Sequence, residues 1–153
     1  MIVAIGCDHA GYALKAAVAA HLESIGCKVL DHGCYSPNAV DFPDIARLVC
    51  DSVRKGEAVR GIMVCGTGVG ACIAANKIPG IRAAVCHDYH SAHQSVEHDD
   101  VNVMCIGAQI VGAWLAKDLI SAFITATFSD EEQFRRRVGK LEQLEKEAQT
   151  KTE

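Results

Sequence analysis

Short β-branched runs alternate with longer stretches of helical period along the sequence. The first run, IVAIG at Ile2 to Gly6, precedes a stretch in which Leu14, Ala17, Val18, Leu22 and Ile25 share one helical face, and Gly26 stops it. A strand at Cys27 to Asp31 and a loop follow, then a helix opened by Pro43 whose inner face carries Ile45, Leu48, Val49 and Val53. RGIMVC at Arg60 to Cys65 predicts the third strand, Gly70 to Lys77 a short helix, Arg82 to Cys86 the fourth strand, and Tyr89 to Glu97 a further helix. Val101 to Gly107 reads as the fifth strand, Val111 to Phe128 as a long helix, and the residues from Asp130 as a last one. Five strands alternating with helices predict an α/β chain: three layers, α-β-α, around a five-stranded parallel, doubly wound, Rossmann-like sheet. In such a sheet ligands bind at the carboxyl ends of the strands.

With neither an internal repeat nor a linker, residues 1–153 are expected to form one domain. The segment over 130–150 is charged but keeps a narrow apolar stripe of Val138, Leu141, Leu144 and Ala148. That stripe fits a helix packed on its own domain, and equally an arm laid on a second subunit.

Composition narrows the class. Hydrophobic residues make up 50% and charged residues 22% of the 153, a globular balance with enough chain for a complete core. No apolar run approaches the roughly 18 residues of a spanning helix. The opening MIVAIGCDHAG lacks the basic segment of a secretory signal, and a cytoplasmic location is expected. A net charge of -4, 5% aromatic residues and no block of Lys or Arg count against a nucleic-acid surface. Small-molecule partners fit better. Eight cysteines without a CxxC pair read as reduced thiols, most of them small core residues.

The predicted strand ends select the candidate chemistry. The first ends in Gly6-Cys7-Asp8-His9, the third in Cys65-Gly66-Thr67-Gly68-Val69-Gly70 and the fourth in Cys86-His87-Asp88, while His98 and Asp99 immediately precede the fifth. Three alternating glycines before a helix let successive N–H groups turn inward as an anion nest, although glycines at such turns often only permit a tight connection. The loop is not a Walker A motif, a GxGxxG fingerprint or a Cys-x5-Arg phosphatase loop. There remains a cysteine, Cys65, facing an anion hole whose dipoles are expected to lower its pKa toward neutrality, as suits a base or nucleophile. His90 and His93 read as solvated helix positions. His98, expected to follow its helix beside Asp99, is placed to titrate near neutrality as an acid or base. Of Arg135, Arg136 and Arg137, one is expected to reach a phosphate.

GCDHAG, DFPD at Asp41 to Asp44, CGTGVG followed by AANKIPGIRAAVCHD, and EHDDVNVMCIGAQIVG together resemble the type B ribose-5-phosphate isomerases, within a wider family that includes galactose-6-phosphate isomerase subunits. The resemblance runs from Ile2 to Leu144 and implies a metal-free aldose-ketose isomerase, without a cofactor, acting on ribose 5-phosphate as a homodimer with sites at the subunit interface. By that resemblance Cys65 is the base that moves a proton between C2 and C1. The amides of Gly66, Gly68, Val69 and Gly70 hold the enediolate, Thr67 donates to a substrate oxygen, and His98 opens the sugar ring. Asp8 binds sugar hydroxyls, while His9 and Arg137 grip the phosphate. The sequence departs from the family at four positions: Asp99 stands where asparagine is usual, Gln109 and Gln133 where arginines are common, and Phe42 where tyrosine is. These departures keep two alternatives open, an isomerase of a six-carbon sugar phosphate and a non-catalytic sugar-phosphate-binding module.

Overall fold

In the computed structural model, which describes residues 1–150, eleven elements follow in order. They are β1 (Ile2–Cys7), α1 (Tyr12–Ser24), β2 (Lys28–Asp31), α2 (Phe42–Arg54), β3 (Arg60–Cys65) and α3 (Val69–Asn76). There follow β4 (Ala83–Val85), α4 (Tyr89–Asp99), β5 (Val103–Gly107), α5 (Ala113–Thr125) and α6 (Glu132–Thr150). All strand pairs are parallel and the order is β2-β1-β3-β5-β4, so the predicted three-layer α/β architecture is the one observed.

The order follows from how apolar each strand is. Every residue of β5 is buried, and so are the last five of β1 and of β3. Such strands need cover on both faces and take the middle. β2 and the three-residue β4 are half exposed and form the edges, so the chain passes β4 to the rim before returning β5 to the interior. Alternation of side chains then builds two cores. Val3, Ile5, Ile62, Val64, Met104 and Ile106 face a layer of α1, α4 and α5, whereas Ala4, Met63, Cys65, Val103 and Cys105 face α2 and α3.

Two helix ends differ from the sequence reading, one for a nonlocal reason and one for a local one. α5 stops at Thr125, three residues early, because Arg60 crosses from β3 and donates its guanidinium N–H groups to the carbonyls of Phe123 and Ala126. α4 runs two residues longer than expected, to Asp99, and ends on Asp100 in the left-handed region (φ 48°). The amides of Asp100 and Val101 bond back to Val96 and Ser95, a Schellman-like close built without glycine. Leu48, expected on the inner face of α2, is exposed; Val49 is buried there as expected, joined by Ala46 and Cys50.

The loop after β2 is tied to α1 by Lys15, a cation the helical period does not place inside. Its ammonium donates to both carboxylate oxygens of Asp31 at 2.8 and 2.9 Å and to the Cys34 carbonyl at 2.8 Å. The turn after β1 lies just as close to β3: a side chain on Gly11 would collide with the Val64 carbonyl and the Cys65 nitrogen. Gly11→Ala is therefore expected to destabilise the fold by about 1–3 kcal/mol, read as a lower urea midpoint. An unchanged midpoint would show that the turn lifts off β3 freely.

Candidate active site

The carboxyl ends of β1, β3 and β5 lie side by side at one end of the sheet. Asp8, the first residue past β1, is 5% exposed, with Oδ1 accepting from the Gly11 amide at 3.0 Å. Its Oδ2 accepts from the Cys65 thiol at 3.1 Å. His9 is exposed at the rim, where its Nδ1 accepts from the Val40 amide at 3.3 Å. Cys7 lies beneath, its sulfur 3.6 Å from that of Cys34.

Past Cys65 the chain turns through Gly66, Thr67 and Gly68 into α3. Gly68 has φ 82°, a conformation glycine alone adopts freely, and its Cα packs on the backbone of Cys105 and Ile106. The Thr67 hydroxyl accepts from the Val69 amide at 3.3 Å. Two amides from the turn after β5 fix this loop: Ala108 donates to the Cys65 carbonyl at 2.8 Å and Gln109 to the Gly66 carbonyl at 3.0 Å. In a trans peptide the N–H points opposite to its C=O, so both bonds turn the Gly66 and Thr67 amides away from β5. The Gln109 side chain covers Gly66, and the Phe42 ring covers Gly70 so closely that a Cβ there would meet it at 2.8 Å.

The predicted lowering of the Cys65 pKa is corrected by these neighbours. The amides of Gly66 and Gly68 do act on the sulfur as expected and favour thiolate. Burial opposes them most strongly, and the Asp8 carboxylate adds both a hydrogen bond to the thiol and like-charge repulsion, so the pKa rises above the ordinary thiol value.

His98, Asp99, Gln133 and Arg137 are not brought to Cys65 within one chain. α4 carries the chain back from the carboxyl end of β4 toward the amino end of β5, about 16 Å along an 11-residue helix, and His98 and Asp99 are in its last turn. There the His98 ring stacks on Phe134 of α6, centroids 3.9 Å apart and planes within 16°. The Arg137 guanidinium lies 5.7 Å from the same ring. The Glu97 carboxylate is 3.9 Å from His98 Nε2 and 3.5 Å from His93 Nε2. Gln133 donates to Glu131 at 2.9 Å, Arg136 pairs with Glu132 at 2.6 Å, and Asp99 lines a cavity of about 490 Å³ with Arg82, Leu141 and Glu142. Phe134, which holds the histidine, escaped the sequence reading because its partner is remote in the chain. His87, among the strand-end candidates but without a role assigned from sequence, accepts at Nε2 from the Gly107 amide at 2.9 Å beside the Cys65 loop.

Residues 3–141 match the Ribose/Galactose Isomerase family, and the chain belongs to it. It is an enzyme, a sugar-phosphate isomerase that interconverts aldose and ketose. The resemblance to the type B ribose-5-phosphate isomerases holds in both sequence and structure. A ribose-5-phosphate isomerase B of Escherichia coli is 45% identical over 126 residues, 82% of this chain and 85% of that protein. The solved ribose-5-phosphate isomerase B of Clostridium thermocellum superposes with a TM-score of 0.94 at 43% identity, covering 97% of this chain and 99% of that one. A D-erythrulose-4-phosphate isomerase of Pectobacterium atrosepticum is 40% identical over 128 residues, 82% of this chain and 84% of that protein.

The electrostatics of the pair give a sign that can be checked. Asp8→Asn removes the charge that holds the Cys65 proton, so the Cys65 pKa is expected to fall. The pH midpoint for alkylation of Cys65 by iodoacetamide in the unliganded protein then moves to lower pH. A midpoint that stays or rises would show that Asp8 does not govern this thiol.

Proposed function

We propose that the enzyme interconverts D-ribose 5-phosphate and D-ribulose 5-phosphate, with Cys65 as the base that carries the proton between C2 and C1. The observation that carries this reading is the thiol itself: buried, aimed at a carboxylate 3.1 Å away, and followed at once by a turn whose amides face it. A thiolate formed there takes the C2 proton, and the negative charge passes to the substrate oxygens. The amides of Gly66, Gly68, Val69 and Gly70, with the Thr67 hydroxyl, would receive that charge as an enediolate. Asp8 stands beside the sulfur, where it accepts a hydrogen bond from the thiol in the resting protein and would meet the sugar hydroxyls in the complex.

Ring opening falls to His98 in this reading. Since one chain holds His98 and Cys65 at opposite ends of its sheet, the complete site would form between two copies, each lending one end. The first copy supplies Asp8, His9, the Cys65 loop and Gln109. The second supplies His98, Asp99, Gln133 and Arg137, the last gripping the phosphate with His9. Phe134 would set the plane of the imidazole and flank the arginine. In such a dimer 130–150 is the arm that carries part of its neighbour's site, all within a single-domain chain.

A second reading, an isomerase of a six-carbon sugar phosphate, is favoured by one observation. The neutral carboxamide of Gln109, not a guanidinium, lies against Gly66 in the Cys65 loop, which would leave a phosphate at this point less firmly held. Kinetics on five- and six-carbon substrates side by side separate the two readings.

Subunit mixing tests the assembly and the roles together. Cys65→Ala and His98→Asn are each expected to abolish turnover of ribose 5-phosphate while remaining folded. Unfolding and refolding them together should restore about a quarter of the wild-type rate, since half the dimers are mixed and each holds one intact site. No recovery from the mixture would overturn the shared site, and turnover by Cys65→Ala alone would overturn the base.

A further inference from the structure

We infer that His87 is a positioning residue for the isomerisation: its imidazole takes the place of a missing rung of the sheet and so holds the anion loop after Cys65 in register. The inference rests on the reading of Cys65 as the base.

The missing rung is visible in the pairing of the two strands. β4 and β5 pair in parallel, and their last ladder bond runs from the Cys86 amide to the Cys105 carbonyl at 3.2 Å. The next rung of a parallel ladder would run from the Gly107 amide to the Cys86 carbonyl. β4 has already ended at Val85, and the Gly107 amide donates to His87 Nε2 at 2.9 Å. Only the lone pair of a neutral ring accepts such a bond, so the ring proton sits on Nδ1. β5 thereby keeps its direction to its last residue although its edge partner has gone.

Gly107 is where that direction matters. It pairs with Cys65 across β3 and β5, and a Cβ at Gly107 would fall 2.6 Å from the Thr67 Cα and 2.7 Å from the Gly66 carbonyl oxygen. The two backbones touch with nothing between them. Beyond Gly107 come the amides of Ala108 and Gln109 that orient the Cys65 and Gly66 carbonyls, and through them the amides offered to the thiolate and the enediolate. A shift of Gly107 is passed directly to those amides, whose alignment counts most in the transition state.

The test compares His87→Ala, His87→Asn and His87→Gln. The glutamine carbonyl reaches as far as Nε2 and accepts the same N–H; asparagine is polar but too short. His87→Ala and His87→Asn are expected to lower kcat for ribose 5-phosphate by about tenfold or more with KM within about threefold, and His87→Gln to recover to within about threefold of wild type. Should the alanine variant fail to fold, the asparagine and glutamine pair carries the comparison. A kcat within threefold of wild type in the asparagine variant, a loss wholly in KM, or a glutamine variant no better than asparagine would overturn the inference. Failure of the underlying reading shows separately, as turnover by Cys65→Ala. In that event the pH midpoint of Cys65 alkylation, followed by peptide mass because Cys72 has a thiol brought down to about 7 by the Cys105 thiol hydrogen bond, decides the matter without turnover. It rises in His87→Asn and returns in His87→Gln if His87 positions the loop, and stays at the wild-type value if it does not.

Discussion

The molecule is organised by a close approach of backbones at the carboxyl end of β3. Gly11 from the turn after β1 and Gly107 from the end of β5 lie against the chain between Val64 and Thr67, each so near that a single added carbon would collide with main-chain atoms. Side chains normally keep neighbouring segments apart, and here there are none. The strand ends therefore share one small volume, which puts the Asp8 carboxylate and the Cys65 sulfur in contact and lets amides of the β5 turn grip carbonyls of the β3 turn. Most of what lies farther out serves that convergence. Lys15, for example, ties the β2 loop to α1 through the Cys34 carbonyl, and the Cys34 amide bonds the Cys7 carbonyl at the end of β1.

A raised pKa in the resting protein is chemically coherent with the role proposed for Cys65. An exposed, permanently ionised thiolate reacts with whatever electrophile arrives, whereas a buried thiol bonded to a carboxylate keeps its proton until substrate binds. Substrate hydroxyls that claim Asp8 would weaken its hold on that proton, while the amides of Gly66 and Gly68 remain aimed at the sulfur. Under the proposed mechanism the two opposing influences on Cys65 would belong to two stages, one carried by a side chain that substrate would engage and the other by backbone amides.

Much of this was legible in the sequence where the signal is local. The β-branched runs mark β1, β3 and β5 because burial on both faces demands unbroken apolar residues, and CGTGVG marks the turn, where Gly68 takes the left-handed conformation that glycine adopts freely. Legibility ended where partners are distant. Lys15 lies in a helix of ordinary period and is buried only because Asp31 and the Cys34 carbonyl meet it. Two aspartates after His98 suggest a junction, yet Asp100 adopts the left-handed conformation itself, and His98 stays helical at the far end of the sheet. The pKa of Cys65 was read from its own loop alone; burial, the largest influence, and a carboxylate from 57 positions earlier in the chain both lie outside that loop. His87 stands at a strand end in the sequence, but its role becomes visible only once β4 is seen to stop one rung short.

The position of β5 bears on how the molecule is made. It is the fifth strand in sequence, yet it lies inside the sheet between β3 and β4, which arrive earlier. β4 therefore has no neighbour to pair with until β5 exists, and β3 has an open side. A shorter chain ending before β5 holds β1, β2 and β3 as a partial sheet with one apolar edge bare, the kind of intermediate that associates with its own copies. Closure of the sheet waits for long-range pairing, which is slow because chain entropy must be given up before contacts reward it. The loop after Cys65 gains the backbone of Gly107 only at that moment, so its final geometry is a late event of folding and not a property of the β3 turn on its own.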